Sequence, residues 1–79
     1  MQDYKNLSGQ SNVSKYQIGL DFILVEFKTP SKSGFSLYKY SYLSAGQINV
    51  EQMKVLAVQG RGLQTFINTV VRELYESRS

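Results

Sequence analysis

Apolar residues near the C-terminus recur at the spacing of an amphipathic helix. Between positions 63 and 75 they follow the i, i+3, i+4, i+7, i+8 pattern with polar residues between them. The stripe consists of Leu63, Phe66, Ile67, Val70, Val71, Leu74 and Tyr75. Its burial on a sheet, at about 1.5–3 kcal/mol per large side chain, is expected to be the main force that stabilises the fold. The opposite, polar face carries Gln64, Thr65, Asn68, Thr69, Arg72, Glu73 and Glu76.

A second helix is predicted just before this one, over about residues 50–59. Its start is indicated by an N-cap, a capping-box partner and a hydrophobic staple, which are Asn49, Gln52 and the pair Ile48 and Met53. Gly60 is well placed to end the helix in the left-handed conformation. The two predicted helices are therefore joined by a very short connection.

Three runs rich in β-branched and aromatic residues predict strands over 13–18, 22–28 and 35–43. In the second run one face is wholly apolar and should point inward, and its residues are Ile23, Val25 and Phe27. In the third run Ser36, Tyr38, Tyr40 and Tyr42 alternate with Phe35, Leu37, Lys39, Ser41 and Leu43. Alternation alone leaves open which of these two sides is buried.

These elements predict an α+β fold, a three-stranded antiparallel sheet followed by two α-helices packed on one face. Residues 1–12 are polar and are expected to form a flexible leader that contributes little to the core. Residues 13–79 then form a single small domain, with no internal repeat.

Composition narrows the possible chemistry. The 79 residues include 42% hydrophobic and 19% charged residues, which is typical of a globular protein, and neither cysteine nor histidine. Disulfides, thiolate metal sites, cysteine nucleophiles and histidine bases are therefore excluded. The six carboxylates show no spacing typical of a catalytic pair. We expect no enzymatic activity, no metal and no cofactor.

The chain has no apolar segment near the ~20 residues of a membrane span, and its N-terminus lacks the apolar core of a signal peptide. A cytoplasmic location without membrane contact is therefore expected. The formal charge of +3 fits an acidic partner such as nucleic acid.

The order of elements and the motif Tyr38-Lys39-Tyr40 resemble the KTSC domain, a short module found at the C-terminus of some lysyl-tRNA synthetases and as free-standing bacterial proteins. The other matching features are the strand of residues 23–27 and a glycine before a final helix with Phe66, Ile67 and Tyr75. Family members usually read Val-Pro soon after the paired tyrosines, whereas residues 43–48 here read LSAGQI. The resemblance implies a possible link to RNA and points to Tyr38 and Tyr40.

The tyrosines of the third strand are the first candidate site. Tyr38, Tyr40 and Tyr42 could stand on an open sheet face and stack bases, as in single-strand binders. In that arrangement Lys39 points toward the core and must reach back to water. The alternative arrangement packs the tyrosines under the helices as part of the core.

Two further candidates involve cations. Arg61 between Gly60 and Gly62 could form a phosphate site at a helix N-terminus, although an end cap and a tight turn explain the same glycines. A scattered set of lysines could converge near the sheet and its connecting loop 29–34, and these are Lys15, Lys28, Lys32 and Lys39. Solvated lysines at strand edges are the alternative.

The leading functional hypothesis is a non-enzymatic module that binds RNA or single-stranded nucleic acid. Its candidate contacts are Tyr38, Lys39, Tyr40, Tyr42, Lys15, Lys28, Lys32 and Arg61. The alternative is a protein-interaction module or a homodimer that pairs sheet edges or covers an exposed aromatic face.

Overall fold

An antiparallel sheet of five strands forms one layer of the molecule. The computed structural model describes all residues, 1–79. The strands, which neighbour one another in chain order, are β1 (Gln2–Asp3), β2 (Val13–Ile18), β3 (Phe22–Phe27), β4 (Leu37–Ser41) and β5 (Ser77–Arg78). The α+β class and the antiparallel sheet are confirmed, but the prediction of three strands is wrong. The two additional strands are edge strands of two residues each, too short to show any alternation.

The N-terminal segment belongs to the core, so the expectation that residues 1–12 contribute little to it is wrong. Tyr4 is buried, and Leu63 N donates a hydrogen bond to its hydroxyl at 3.5 Å. Tyr4 N donates to Ser14 O at 3.0 Å, and Leu7 N donates to Gly60 O at 2.8 Å. A single aromatic residue among polar ones produces no periodic signal, so sequence patterning missed this contribution.

Three helices follow the central strands, where two were predicted. They are α1 (Tyr42–Ala45), α2 (Gln47–Gln59) and α3 (Leu63–Phe66), which continues as a π-helical turn over Ile67–Val71. α1 replaces the predicted end of the third strand. Ser44 N donates to Ser41 Oγ and Ser41 N donates to Ser44 Oγ, each at 3.1 Å, and this reciprocal capping box turns the chain into a helix.

α2 begins earlier than predicted and without the predicted cap. Gly46 is its N-cap, and Asn49 lies inside the helix, where its side-chain amide donates to Ala45 O at 2.9 Å. Ile48 is 86% exposed and therefore forms no staple. The predicted end is confirmed, because Gly60 has the left-handed φ of 80° and its N–H donates to Leu56 O at 3.0 Å.

The C-terminal helical segment is shorter than its sequence stripe. Leu63, Ile67 and Val71 are buried, but the helix ends at Val71, and Leu74 is 46% exposed. The last turn is a π turn in which Arg72 N donates to Ile67 O at 2.7 Å. The prediction of a helix through Tyr75 is therefore wrong, although Tyr75 still packs against the core from beyond the helix.

The register of β3 and β4 decides which side of the third predicted strand is buried. Tyr40 lies opposite Ile23 and Tyr38 lies opposite Val25, so these four side chains share the face that the helices cover. Ile23 and Val25 are fully buried, which confirms the predicted inward face of β3. The open outer face carries Lys39 opposite Leu24, so Lys39 does not point toward the core.

Candidate functional site

A cleft of about 310 Å³ opens where the inner face of the sheet meets the π turn. We call it the aromatic cleft. Its lining includes four aromatic residues, Phe27, Phe35, Tyr38 and Tyr40, together with Asn68 and Arg72. One wall is the segment Thr29, Pro30 and Ser31 of the connection between β3 and β4. The cleft combines two predicted site residues, Tyr38 and Tyr40, with polar groups from the C-terminal helical segment.

The connection that walls the cleft is held by Asn12. The side-chain amide of Asn12 donates to Thr29 O at 3.2 Å, and Thr29 N donates to Asn12 Oδ1 at 3.1 Å. Lys28 N also donates to the backbone carbonyl of Asn12, at 2.7 Å. Within the connection, Phe35 N donates to Ser31 Oγ at 3.2 Å. These hydrogen bonds fix the loop wall before any ligand binds, which reduces the entropy that a ligand must overcome.

Aromatic packing orients the rings of the cleft. The ring of Tyr38 meets that of Phe27 edge-on at 5.4 Å and that of Tyr75 edge-on at 5.2 Å. Tyr38 and Tyr40 are nearly parallel, with an interplanar angle of 15° and centroids 6.5 Å apart. Offset and edge-on geometries of this kind are the favourable ones for aromatic pairs. The rings therefore form a packed cluster. Tyr75, which follows the end of the helix, contacts Tyr38 in this cluster.

Tyr40 lines the cleft but is almost completely buried. Its side chain is only 1% exposed, and its hydroxyl forms no hydrogen bond with the protein. Because no fully sealed side-chain oxygen or nitrogen lacks a partner, this hydroxyl is not fully sealed in the core. Burial raises the pKa of Tyr40 well above its ordinary value, so the hydroxyl keeps its proton. By contrast, Phe27, Phe35 and Tyr38 are half-buried and offer ring surface.

The electrostatic character of the cleft is positive. Arg72 lines it with no ion-pair partner, and no carboxylate belongs to the lining. Arg78 lies over the ring of Phe35 at 4.4 Å. Lys28 and Lys32 are exposed, flank the wall segment in sequence and have no ion-pair partner either. An anionic ligand would therefore meet unpaired cations and no carboxylate in the lining.

Arg72 has an unusual backbone conformation, with φ 43° and ψ −106°. Positive φ is costly for a residue with a side chain, at roughly 1–3 kcal/mol, and such residues cluster at functional sites. π turns inside helices show the same association with functional sites. The two features coincide where the chain leaves the cleft, and they support a functional role for this end of the helical segment.

Four predicted contacts lie away from the aromatic cleft. Lys15 and Lys39 are on the open outer face, where they pair with Asp3 at 3.7 Å and Glu76 at 3.4 Å. The tyrosines and these two lysines are thus on opposite faces, and the expected convergence of the four lysines is wrong. The other two residues are Tyr42 and Arg61.

Tyr42, the last of the three tyrosines in the sequence, forms a hydrogen bond away from the aromatic cleft. Its hydroxyl donates to the carboxylate of Glu51, and Lys54 Nζ donates to the same carboxylate at 2.7 Å. The hydrogen bonds from Lys54 and from Tyr42 hold the pKa of Glu51 below its usual value. Tyr42 therefore stabilises the junction of α1 and α2 and does not continue a stripe with Tyr38 and Tyr40.

Arg61 is exposed in the joint between α2 and α3. The glycines beside it serve as the C-cap of α2 and the N-cap of α3, with φ of 80° and 82°. The N–H of Leu63, which a phosphate would need, already donates to Tyr4. These contacts favour the interpretation of the joint as an end cap and a tight turn.

Sequence reasoning missed Asn68 and Arg72 as cleft residues and assigned both to the exposed polar face of a long helix. Both do lie on that polar face, but the π turn and the early helix end bring it to the border of the sheet. No feature of residues 67–72 indicates a π turn, because the pattern of this stretch fits an ordinary α-helix throughout. A lone arginine within a polar face gives no signal of its own.

The remaining residues contain no other arrangement typical of a reactive site. No three or more acidic side chains come together in a way that could hold a metal ion. None of the helices has both the length and the apolar character needed to cross a membrane. The chain matches no family model, no curated protein and no solved structure.

Proposed function

We propose that this protein is a non-enzymatic binding module for RNA or other single-stranded nucleic acid, and that the aromatic cleft receives a base. The observation that carries the proposal is the combination in one cleft of half-buried aromatic rings, an unpartnered hydroxyl and an arginine without a counterion. Rings that bases can stack on are the feature shared by proteins that bind single strands, at about 1–3 kcal/mol per base.

Charge supports the same proposal. Three of the nine Lys and Arg side chains form ion pairs, and the other six are free to contact phosphates. Among the free cations, Arg72 lines the cleft, Arg78 lies over Phe35, and Lys28 and Lys32 flank its wall. A phosphate backbone that passes the mouth of the cleft would meet these cations, and the binding would weaken as salt is raised.

The same proposal includes the absence of catalysis. None of the six carboxylates lines the aromatic cleft, so it holds neither a general acid nor a general base of the carboxylate type. The relationship to the KTSC domain also remains a hypothesis, supported by the Tyr38-Lys39-Tyr40 motif in a central strand.

The direct test is a fluorescence titration with a labelled single-stranded RNA of mixed sequence at several salt concentrations. The cleft variant Lys28→Gln/Arg72→Gln is compared with the control variant Lys15→Gln/Lys39→Gln, which removes the same charge from the opposite face. We expect the cleft variant to weaken binding and to reduce the slope of log K against log salt by about 0.7 per lost phosphate contact. No binding at tens of micromolar, or equal losses in both variants, would contradict the proposal.

A second candidate function, protein association, is favoured by one separate observation. Leu20, Leu43 and Ile48 are 91%, 94% and 86% exposed. Two hydrogen bonds connect the loop that carries Leu20 to α1 and α2, the helices that carry Leu43 and Ile48. Tyr42 N donates to Asp21 O at 2.9 Å, and Lys54 Nζ donates to Leu20 O at 3.0 Å. Exposed apolar patches are typical of interaction surfaces. Sheet-edge pairing is less favoured, because both edge strands have only two residues.

The second candidate makes a distinct experimental prediction. Sedimentation velocity should show a concentration-dependent dimer that persists at high salt, and Leu43→Ser should shift it to the monomer. A protein that stays monomeric across the accessible concentration range contradicts self-association.

A further inference from the structure

The guanidinium of Arg78 packs over two aromatic rings at the border of the aromatic cleft. Its Cζ atom lies 4.4 Å from the ring centre of Phe35, a cleft residue, and 4.9 Å from that of Tyr75. The electron-rich face of an aromatic ring attracts a cation, and arginine is the cation that most often takes this position. The two rings therefore restrict the positions that this long side chain can adopt.

The sheet register places Arg78 on the same side of the sheet as the cleft. β5 pairs with β4 so that Arg78 lies directly opposite Tyr38, which lines the cleft. Side chains of directly opposite residues in an antiparallel pair share one face of the sheet. Lys39, the neighbour of Tyr38 in β4, belongs to the other face and lies opposite Ser77. The pairing of β5 thus adds a cation to the face that carries the aromatic cleft.

The protein leaves the hydrogen-bond donors of Arg78 unused. Arg78 is exposed, belongs to none of the three ion pairs and donates no side-chain hydrogen bond within the protein. A guanidinium has five N–H donors in a planar fork, and two of them can bind one phosphate group in parallel. Lysine meets a phosphate only as a point charge. A restricted arginine with free donors is therefore suited to bidentate phosphate binding.

We infer that Arg78 is a phosphate-binding residue at the border of the aromatic cleft, and that it recognises one backbone phosphate of the bound strand through the geometry of its guanidinium as well as through its charge. This inference rests on the proposed function and deepens it, because it assigns one contact to geometry. Lys28 and Lys32 are exposed and contribute charge alone. At Arg78, by contrast, a change to lysine should weaken binding although the charge is kept.

The test is a titration of the full chain with labelled oligo-uridine of ten nucleotides at several salt concentrations. Arg78→Lys should weaken binding about tenfold with an unchanged salt slope, because the charge stays and the bidentate pair is lost. Arg78→Gln should weaken binding at least as much and should reduce the slope of log K against log salt by about 0.7. The matched controls are Arg61→Lys and Arg61→Gln, at the exposed arginine between α2 and α3, which should bind like the native chain.

A second measurement on the native chain does not depend on the folding of any variant. Phenylglyoxal modifies accessible guanidinium groups, and peptide mass spectrometry identifies the modified positions. Bound oligo-uridine should protect Arg78 and leave Arg61 reactive.

The outcomes separate this inference from the proposed function. If the native chain binds but Arg78 is not protected, or if Arg78→Lys binds like the native chain, the inference is overturned and the proposed function stands. A loss in Arg78→Gln with an unchanged salt slope indicates a structural role only and overturns the inference as well. Failure of the native chain to bind the RNA removes the proposed function and the inference together.

Discussion

At the scale of single residues, Tyr40 links the core of the protein to its candidate site. Its side chain is among the largest fully buried ones, and the residue also lines the aromatic cleft. Burial disfavours the phenolate, which is why the pKa of Tyr40 lies above that of a free tyrosine. The nearby Tyr38 and Tyr75 raise it further. The stability of the fold should therefore depend on pH in the alkaline range.

We expect the native protein to lose stability as the pH rises above 10.0, the ordinary tyrosine value. Above that pH, Tyr40 ionises in the unfolded chain but stays protonated in the folded one, so the folded state binds more protons and stability falls with pH. The slope is at most about 1.4 kcal/mol per pH unit for one group. Tyr40→Phe removes this slope.

Urea denaturation of both proteins between pH 9 and pH 11.5 measures the effect. The difference in the free energy of unfolding should be constant below about pH 10 and should then move in favour of Tyr40→Phe. Tyr4 and Tyr42, whose pKa values are also raised, are present in both proteins and cancel in the comparison. Parallel curves up to the highest pH would contradict the assignment.

At the scale of secondary-structure elements, the joint between α2 and α3 depends on a glycine. Gly60 has φ 80°, and a Cβ atom at this position would lie 2.5 Å from the Cβ of Lys5. Gly60 O also accepts the hydrogen bond from Leu7 N at 2.8 Å. The same residue therefore ends a helix and contacts the N-terminal segment, and both functions require the absence of a side chain.

Gly60→Ala should destabilise the protein by more than Gly34→Ala. Both substitutions put a side chain on a left-handed residue, at a cost of roughly 1–3 kcal/mol, but a Cβ on Gly34 has nothing within 4 Å. The contact with Lys5 should add about 1 kcal/mol or more at Gly60, because the N-terminal segment must shift to relieve the overlap. Thermal denaturation followed by circular dichroism compares the two. Equal losses would mean that the segment moves aside without cost.

At the scale of the whole molecule, both ends of the chain complete the sheet. β1 pairs with β2 at one edge and β5 pairs with β4 at the other. Beyond β1, Tyr4 enters the core, and beyond the π turn Tyr75 supports the rings of the cleft. A small domain has little core to spare, so these contributions from terminal segments should matter for the entire fold.

Tyr4→Ala should lower the free energy of unfolding by about 3 kcal/mol, since it removes a buried aromatic ring and leaves a cavity. This loss is comparable with the roughly 3–5 kcal/mol that a core of this size supplies, so the melting temperature should fall steeply. The control is Leu7→Ala in the same segment, where the side chain is 62% exposed and the effect should stay within about 0.5 kcal/mol. Similar melting temperatures for Tyr4→Ala and the native chain would show that the segment is dispensable.

The sequence by itself determined the α+β class, the positions of the central strands, the inward face of β3 and the end of α2 at Gly60. These features depend on local patterns: alternation along Ile23 and Val25, or the tolerance of glycine for positive φ. The sequence also singled out Tyr38 and Tyr40. It could not determine their direction, because both sides of that strand carry apolar and polar residues.

Only the tertiary structure decided the remaining features. Pairing with β3 turned Tyr38 and Tyr40 inward, and it sent Lys39 to the opposite face. The edge strands exist because longer neighbours offer them hydrogen bonds, and two residues carry no pattern of their own. The π turn over Ile67–Val71, directly before the cleft residue Arg72, has no signal in the periodicity of the sequence. Periodicity therefore specified the elements, and long-range contacts specified which side chains surround the cleft.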